Sequence, residues 1–493
     1  MNSTRSQNPF LLVLLIVGLL GLLSLLKPGL TVGGVQLRPV RLLADILRKD
    51  PTAIARLDAP PPNAPATVAP ADTVAATAPP DSAEVATKTK EPAVPNLGGL
   101  SSFLAALHQT KADGSPVRIA YFGDSMIEGD LLTGDLRNSL QTEFGGSGVG
   151  YVPINSITAD FRGTIRQTYS PNWYEYNLVS DKLPPKCPLG ISGHAFLPRE
   201  VSNRDSTGIV SDTSWVRFQT VKRFATTQHF VEARLFYGPG SGRDRVLVTT
   251  DRHPVLHTLP GNGAVNELVL KPGVPARTMH MAFAAHGPRP VYGVSFESPR
   301  GVVLDNFSFR GNSGLSLTKI PFNQLAAFGQ VLDYRLIILH YGVNVASASY
   351  KSYNWYERGM TRVVDRMQRA FPNASILIIG MSDKSSRIDG EFQTDPSVPR
   401  LLAAQRKLAE RNHAAFWNLY EAMGGENSMV KWVEESPTLA NKDYTHVNQR
   451  GAHKIAELLF GYLMQEYAHP TPASAARADS TVRPARDSAS ASR

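Results

Sequence analysis

Apolar strands and amphipathic helices alternate in two separate parts of the chain. In the first part, the helical pattern LSSFLAALHQ precedes an apolar strand at 117–122, and a further helix runs to about Phe144. After Gly311 the alternation returns, with the strands YRLIILHYG and SILIIGMS separated by a long helix at 354–371. This pattern predicts an α/β fold built on a parallel sheet. The remaining predicted elements are helices near 321–331 and 398–412, the short strand in AFWNLY and a last helix in RGAHKIAELLFGYL.

The region between these two parts has the pattern of an all-β domain. Seven short alternating runs are separated by Gly, Pro, Asn and Asp: WVRFQTV, FVEARLFYG, RVLVTT, NELVLK, RTMHMAFAA, VYGVSFE and VVLDNFSFR. Such spacing indicates a β-sandwich or jelly roll, inserted into the α/β domain. Aromatic residues that alternate along these runs are expected to be buried core residues rather than to form a sugar platform: Trp215, Phe218, Phe230, Phe236 and Tyr237.

The two ends of the chain have patterns that do not predict a core. Residues 9–26 are almost wholly apolar, which meets the length of roughly 18 residues for spanning a bilayer. A cleaved signal peptide is the alternative, but SLLKPGLTVGG offers no small-x-small cleavage site, so we expect an uncleaved anchor. Residues 51–96 hold 10 Pro and 13 Ala, the composition of a semi-extended tether, and 469–493 has the composition of a disordered tail.

These patterns together divide the chain into six segments. The predicted segments are a transmembrane anchor (1–27), a Pro/Ala-rich linker (28–96), the first part of the α/β domain (97–154), the inserted β-sandwich (155–310), the second part of the α/β domain (311–468) and the tail (469–493).

Composition and charge narrow the classes of partner and cofactor. The chain has 493 residues with a formal net charge of +9, and it contains no long Lys/Arg run, so we expect no nucleic acid partner. Cys187 is the only cysteine, which excludes an intrachain disulfide and a cysteine-rich zinc site. No metal-ligand spacing is apparent among the histidines, and we expect neither a metal nor another cofactor.

Two short motifs carry the residue types of a serine hydrolase. FGDS places Ser125 directly after the first predicted strand, and DYTH places Asp443 and His446 on one turn before the last helix. A nucleophilic serine needs a base within hydrogen-bond reach and an acid that orients that base. Each motif alone is also explained by an ordinary turn or a helix cap.

Oxyanion donors are the third requirement, because a developing negative charge must meet pre-positioned N–H groups. DNFSFRGNSGLSL ends a predicted strand in Gly311 and Gly314, where glycine lets a backbone N–H come close to a substrate. LIILHYGVNVAS ends another in Gly342 and Asn344, whose side-chain amide can donate. Turns are the alternative explanation for both.

The order of these motifs resembles the SGNH (GDSL-type) hydrolase family. FGDS matches its first block, NSGLS its second, YGVN its third and DYTH its fifth. The resemblance implies a three-layer α/β/α fold with Ser125 as nucleophile, His446 as base and Asp443 as orienting acid. It also implies an oxyanion hole formed by the N–H groups of Ser125 and Gly314 and by the Asn344 amide. Asp124 is then structural and stays outside the triad.

The inserted domain is similar to that of periplasmic peptidoglycan O-acetylesterases, which carry a carbohydrate-binding-like jelly roll between their first two blocks. One departure is the third block, where Val345 and Ala346 follow the asparagine in place of the acidic residue that is often found there. This departure bears on substrate preference more than on the triad.

The resemblance implies a serine esterase that removes acetyl or other small acyl groups from a cell-envelope glycan such as peptidoglycan, through an acyl-enzyme. A glycan O-acetyltransferase with the same triad and a non-catalytic glycan-binding protein on this fold are the alternatives. The expected partners are an O-acylated envelope polysaccharide and, through the N-terminal helix, the cytoplasmic membrane. We expect the body outside the cytoplasm, although basic residues after the span (Lys27, Arg38 and Arg41) outnumber Arg5 before it and lean weakly the other way.

Overall fold

A computed structural model describes the folded body of the chain. The described residues are 99–180, 182–184, 187–199, 213–251 and 253–469, together with 31–32 and 35–36. The body belongs to the compact unit Val74–Arg493; in the other unit, Met1–Thr73, the described residues pair as two short antiparallel strands, β1 (Thr31–Val32) and β2 (Val35–Gln36). This pair lies within the predicted linker.

The predicted anchor at 1–27 and most of the predicted linker and tail lie outside the described residues. Over the ranges that the structure describes, no helix is both long and apolar enough to cross a membrane.

A five-stranded, wholly parallel sheet forms the centre of the body. Its order is β15-β3-β16-β17-β20, and the strands are β3 (Val117–Gly123), β15 (Val302–Ser308), β16 (Tyr334–His340), β17 (Ser375–Ile379) and β20 (Ala415–Trp417). The strands read as continuous apolar runs because both faces of the sheet are covered.

Helices cover the two faces of this sheet. They are α1 (Ser101–Asp113), α2 (Thr133–Phe144), α3 (Phe322–Leu332), α4 (Asn354–Ala370), α5 (Ser397–Arg411), α6 (Leu419–Met423), α7 (Ser428–Glu434) and α8 (Gln449–Ala468). One core places α3, α4 and α5 against the sheet, and a second core places α1, α2, α6, α7 and α8 against its other face. The predicted α/β/α fold with an inserted β domain is confirmed.

The inserted domain is a sandwich of two antiparallel sheets with its own core. One sheet has the order β11-β10-β13-β8-β5, and its strands are β5 (Ile165–Tyr169), β8 (Ser214–Thr220), β10 (Arg245–Thr250), β11 (Pro254–Thr258) and β13 (Thr278–Ala284). The other has the order β12-β9-β14-β7-β6, with β4 also on β14, and its strands are β4 (Gly150–Val152), β6 (Tyr174–Asn177), β7 (His194–Leu197), β9 (Glu232–Tyr237), β12 (Asn266–Leu270) and β14 (Val291–Glu297).

Two strands lie on the other side of the predicted insert boundaries. The sequence pattern places VVLDNFSFR in the sandwich, but its strand β15 pairs in parallel with β3 and is part of the central sheet. The strand β4 precedes the predicted start at 155, yet it pairs with β14 of the sandwich. The predicted boundaries are wrong because β14 and β15 are both almost continuously buried, so the apolar pattern does not distinguish the two sheets.

The aromatic residues of the insert follow the prediction with one exception. Phe218, Phe230, Phe236 and Tyr237 are buried, as expected for core residues. Trp215 is only partly buried and contacts the His280 ring, with ring centroids 5.5 Å apart.

A buried ion network joins the sandwich to the central sheet. Arg118 of β3 donates to Asp305 of β15 at 2.7 Å and pairs with Glu297 of β14. Arg234 of β9 contacts the same Glu297 at 3.3 Å. The network spans both sheets, so the sandwich is built into the body by charge as well as by apolar packing.

Candidate active site

Ser125 lies where the central strand β3 meets a tight turn. A side chain at Gly123 would meet Ile127 at 3.0 Å and the backbone oxygen of His340 at 3.1 Å, which explains the glycine. Asp124 follows, and its Oδ1 accepts from the backbone N–H of Met126 at 3.0 Å, which starts the 3-10 helix Ser125–Asp130. The turn presents Ser125, half-buried, at the carboxyl edge of the sheet.

Asp443 and His446 reach this edge on a short loop. Ala440 and Val447 pair at its base, and the Oδ1 of Asp443 accepts from the backbone N–H of His446 at 3.0 Å. The Oδ2 of Asp443 lies 2.8 Å from the Nδ1 of His446, and the Nε2 of His446 lies 3.2 Å from the Oγ of Ser125. The three residues that the sequence analysis selected therefore form one hydrogen-bonded chain.

The carboxylate of Asp443 is held in its ionised form. Partial burial raises its pKa, but hydrogen bonds from the backbone and side chain of His446 and from the Thr445 N–H outweigh that effect, so the pKa lies below its ordinary value. An ionised carboxylate on Nδ1 fixes the tautomer that leaves Nε2 free to accept the proton of Ser125. Across the residues that the structure describes, no cluster of three or more His, Cys, Asp or Glu could hold a metal ion.

Asp124 is fully buried beside the nucleophile. Burial raises its pKa to about 6, opposed by the hydrogen bond from Met126, by the nearby His446 and by the Asn344 amide, which donates to Oδ2 at 3.0 Å. Both of its carboxylate oxygens thus accept hydrogen bonds, one from the Met126 N–H in the turn and one from the Asn344 amide. This position agrees with a structural role outside the triad.

Two of the three predicted oxyanion donors are occupied by acceptors of the protein itself. The N–H of Gly314 donates to Oδ1 of Asn312 at 2.8 Å, and a side chain at this glycine would meet Met360 and Tyr341 at 2.9 Å, so its Cα faces the core. The Nδ2 of Asn344 donates both to Asp124 and to the backbone oxygen of Asn312, the latter at 3.2 Å.

Gly311 differs from Gly314 in both respects. Its φ of +74° is a conformation that glycine adopts freely, and no atom lies within 4 Å of the position that its Cβ would take. No acceptor for its N–H is found among the described residues. Of the two glycines that the sequence analysis considered, Gly311 is the one whose N–H has no protein acceptor within the described part of the chain.

A hairpin beside the Asp443–His446 loop escaped the sequence analysis. It is formed by β18 (Ser385–Ile388) and β19 (Glu391–Thr394), joined by Asp389 and Gly390 with φ of 51° and 93°. An Asp-Gly pair between two strands is a strong hairpin signal and could have revealed it. Two nearby residues support the hairpin: Asp383 is buried and accepts from Thr394 at 2.9 Å, and Arg387 lies over the ring of Phe392.

Comparisons with known proteins agree with this architecture. No protein-family model and no curated protein matches the chain. Among solved structures, a peptidoglycan O-acetylesterase is 21% identical with a TM-score of 0.59, over 75% of this chain and 96% of that one. Two further structures match with low TM-scores. An acetyl xylan esterase is 17% identical with a TM-score of 0.26, over 33% of this chain and 81% of that one. A family two carbohydrate esterase from Clostridium thermocellum is 10% identical with a TM-score of 0.27, over 61% of this chain and 99% of that one. The first likeness covers three quarters of this chain and confirms the predicted fold, a three-layer α/β/α domain interrupted by a β-sandwich, which the chain shares with that O-acetylesterase.

Proposed function

We propose that the protein is a serine esterase that removes acetyl or other small acyl groups from a carbohydrate. The single observation that carries the proposal is the hydrogen-bonded chain from Asp443 through His446 to Ser125, with heavy-atom distances of 2.8 and 3.2 Å. Both lie within the range in which a base takes a proton from a hydroxyl. The likeness of the whole fold to a peptidoglycan O-acetylesterase supports this proposal.

The proposed reaction has two steps, acylation and deacylation of Ser125. Ser125 Oγ attacks the ester carbonyl while its proton passes to Nε2 of His446, and the imidazolium then gives that proton to the sugar oxygen as its bond to the acyl carbon breaks, which releases the sugar hydroxyl. Water attacks the resulting acyl-enzyme, His446 takes the proton of the water, and the carboxylic acid leaves as Ser125 regains its hydrogen. Asp443 orients and stabilises the imidazolium in both steps.

For the oxyanion we propose the N–H groups of Ser125 and Gly311, with the Asn344 amide as the third donor. The Gly311 N–H has no acceptor among the described residues, whereas the Gly314 N–H is engaged by Asn312. The Asn344 amide donates its longer hydrogen bond to the Asn312 carbonyl and its shorter one to Asp124. Asn344 can serve as a donor if the substrate oxygen replaces the Asn312 carbonyl while the bond to Asp124 is kept. A donor aimed in this way acts mainly when the oxygen carries charge.

The proposed substrate is an acetylated cell-envelope glycan, with peptidoglycan as the first to be tested. The fold that supports it includes the sandwich domain, in which the N–H of Gly163 donates to the backbone oxygen of Gly129 at 3.1 Å, in the turn that follows Ser125, so this domain can orient a polymer beside the nucleophile. The acyl-enzyme could also be resolved by a sugar hydroxyl, which would make the protein an acetyltransferase.

The test uses the full-length chain with a small activated acetyl ester, a fluorophosphonate probe and acetylated peptidoglycan. We expect ester turnover and labelling that Ser125→Ala abolishes, while Ser349→Ala, in an exposed loop, keeps both. A folded wild type that neither turns over ester nor takes the label would refute the esterase. Acetate release against acetyl transfer to a glycan acceptor separates hydrolase from transferase.

We also propose that residues 9–26 anchor the body outside the cytoplasmic membrane. The proposal is supported by their apolar sequence, by the Pro/Ala-rich tether that follows, and by the polymeric substrate proposed above. Reporter fusions after Ala468 test the orientation: activity of a reporter that works only in the cytoplasm would reverse it.

A further inference from the structure

The Asp443–His446 loop contains a residue in an unfavourable backbone conformation. Tyr444 has a φ of +54°, in the left-handed region that non-glycine residues rarely adopt. It stands between the acid and the base of the proposed triad, both of which are substantially exposed, with 50% and 41% of their side-chain surfaces accessible. Hydrogen bonds within the loop shape this turn, from the Asn441 N–H to the His446 oxygen at 2.9 Å and from the Tyr444 N–H to the Asn441 oxygen at 3.1 Å. The position of the turn relative to Ser125 then depends on contacts from outside the loop.

The β18–β19 hairpin supplies two contacts to Tyr444. The N–H of Ser385 donates to the backbone oxygen of Tyr444 at 2.9 Å. The ring of Phe392 stacks on the ring of Tyr444, with centroids 3.7 Å apart and planes 9° from parallel. One contact fixes the backbone of the loop tip and the other fixes its side chain.

The hairpin is itself fixed at its base. Thr394 donates to the buried carboxylate of Asp383 and accepts from the N–H of Asn427 at 2.8 Å, and Asp383 also accepts from the N–H of Met429 at 2.8 Å. The Arg387 guanidinium lies over the Phe392 ring, 5.0 Å from its centre. Phe392 therefore packs against both the hairpin's own Arg387 and the loop's Tyr444.

We infer that Phe392 and Tyr444 are positioning residues: the hairpin, through their ring stack, holds the Asp443–His446 loop in the geometry that lets His446 reach Ser125. This inference rests on the proposed function for its catalytic consequence, but not for its structural one. Loss of the stack leaves the acid–base pair intact and lets the loop move relative to the serine. A displacement of about 1 Å is enough to cost up to about 100-fold in rate.

The test compares full-length Phe392→Ala with Phe392→Tyr, which keeps a stacking ring, and with Tyr174→Ala, which removes an exposed ring of the sandwich, 61% accessible. For a small activated ester, we expect kcat of Phe392→Ala to fall about 10- to 100-fold with KM changed less than about 2-fold. Phe392→Tyr should restore kcat, and Tyr174→Ala should match wild type. Tyr444→Gly, which relieves the backbone strain but removes the ring, should resemble Phe392→Ala.

Hydrogen exchange measured by mass spectrometry gives a readout that does not depend on activity. Phe392→Ala should accelerate exchange in the segment 441–447, whose amides of Thr445 and His446 donate to Asp443, and leave the central sheet protected. Unchanged kcat and unchanged exchange would overturn the inference, as would a loss confined to KM or a loss of protection throughout the body. If wild type turns over no ester, the proposed function fails while the exchange result still decides the inference.

Discussion

Charged pairs occur in two regions whose exposure to water is opposite. One region is the seam where the sandwich meets the central sheet, and the other is the Asp443–His446 loop. At the seam, the side chains of Arg118, Glu297 and Asp305 expose 6%, 6% and 0% of their surfaces. In the loop, His446 and Asp443 expose 41% and 50%. Charges that hold the fold are sealed from water by several partners, whereas charges proposed for chemistry stay within reach of a substrate.

This difference separates the consequences of mutation. A buried charge that loses its partner remains desolvated, so the cost appears in the free energy of unfolding. An exposed pair contributes little to stability, because water replaces the lost partner. Substitutions in the loop should therefore change activity with little change in the free energy of unfolding, whereas substitutions at the seam should reduce that free energy.

The largest expected effect is that of His446→Ala, which removes the base but leaves no buried charge. We expect kcat for a small activated ester to fall at least about 10⁴-fold, because the serine then has no proton acceptor. The melting temperature should stay close to that of wild type, since the side chain is exposed. Ser125→Ala together with His446→Ala should be little worse than either alone, and Asp443→Asn should be milder. Turnover near the wild-type rate in His446→Ala would remove this residue from the mechanism.

At the seam, Arg118→Met should show the opposite behaviour. It leaves Glu297 and Asp305 buried without their shared cation, and we expect about 3–5 kcal/mol less stability in denaturant unfolding. Arg369→Met is the matched control, because its pair with Asp365 at 3.5 Å is more than half exposed on both sides, and we expect less than about 1 kcal/mol. Equal losses in the two variants would contradict the contrast between sealed and exposed pairs.

The sequence was sufficient to predict site residues in short motifs that follow a strand or precede a helix. Gly-Asp-Ser after an apolar strand and Asp443 with His446 before the last helix were found from motif and order, because local sequence fixes their turns. The sheet that receives β15 was not predictable, since burial on both faces gives β14 and β15 the same apolar pattern. The sequence also left open that Asn312 accepts from the N–H of Gly314, because this local turn is one of several conformations that Asn and Gly adopt.

The contact between Phe392 and Tyr444 shows the same limit. The two residues are 52 positions apart, and the sequence around each is that of an ordinary exposed hairpin or loop. Only the packing of the hairpin over the loop makes them partners. Local motifs therefore predicted which residues meet at the site, while the contacts that support them required the fold.

Asn344→Ala lies between the two regions of the comparison, because the residue is exposed but donates to the buried Asp124. If its amide stabilises the oxyanion, kcat should fall about 10²–10³-fold with little change in KM. Steady-state kinetics on a small activated ester provides the measurement, with Ser349→Ala as the control in the same loop. An effect confined to KM would instead make Asn344 a substrate-binding residue.

The smallest effect concerns Asp124, a buried acid that adjoins the exposed site. Its pKa of about 6 in the folded protein lies above the ordinary value of 3.8, so the folded state holds the proton more tightly than the unfolded state. The stability that this group contributes is therefore present at low pH and is lost as the pH rises from about 4 to about 6. Because a tenfold difference in proton affinity corresponds to about 1.4 kcal/mol, the loss approaches about 3 kcal/mol. Asp124→Asn has no proton to lose, so its stability relative to wild type should rise by up to that amount across this window, in denaturant unfolding at matched pH. A difference that stays constant between pH 4 and pH 7 would show that Asp124 does not titrate there, and burial would then have no electrostatic cost at this position.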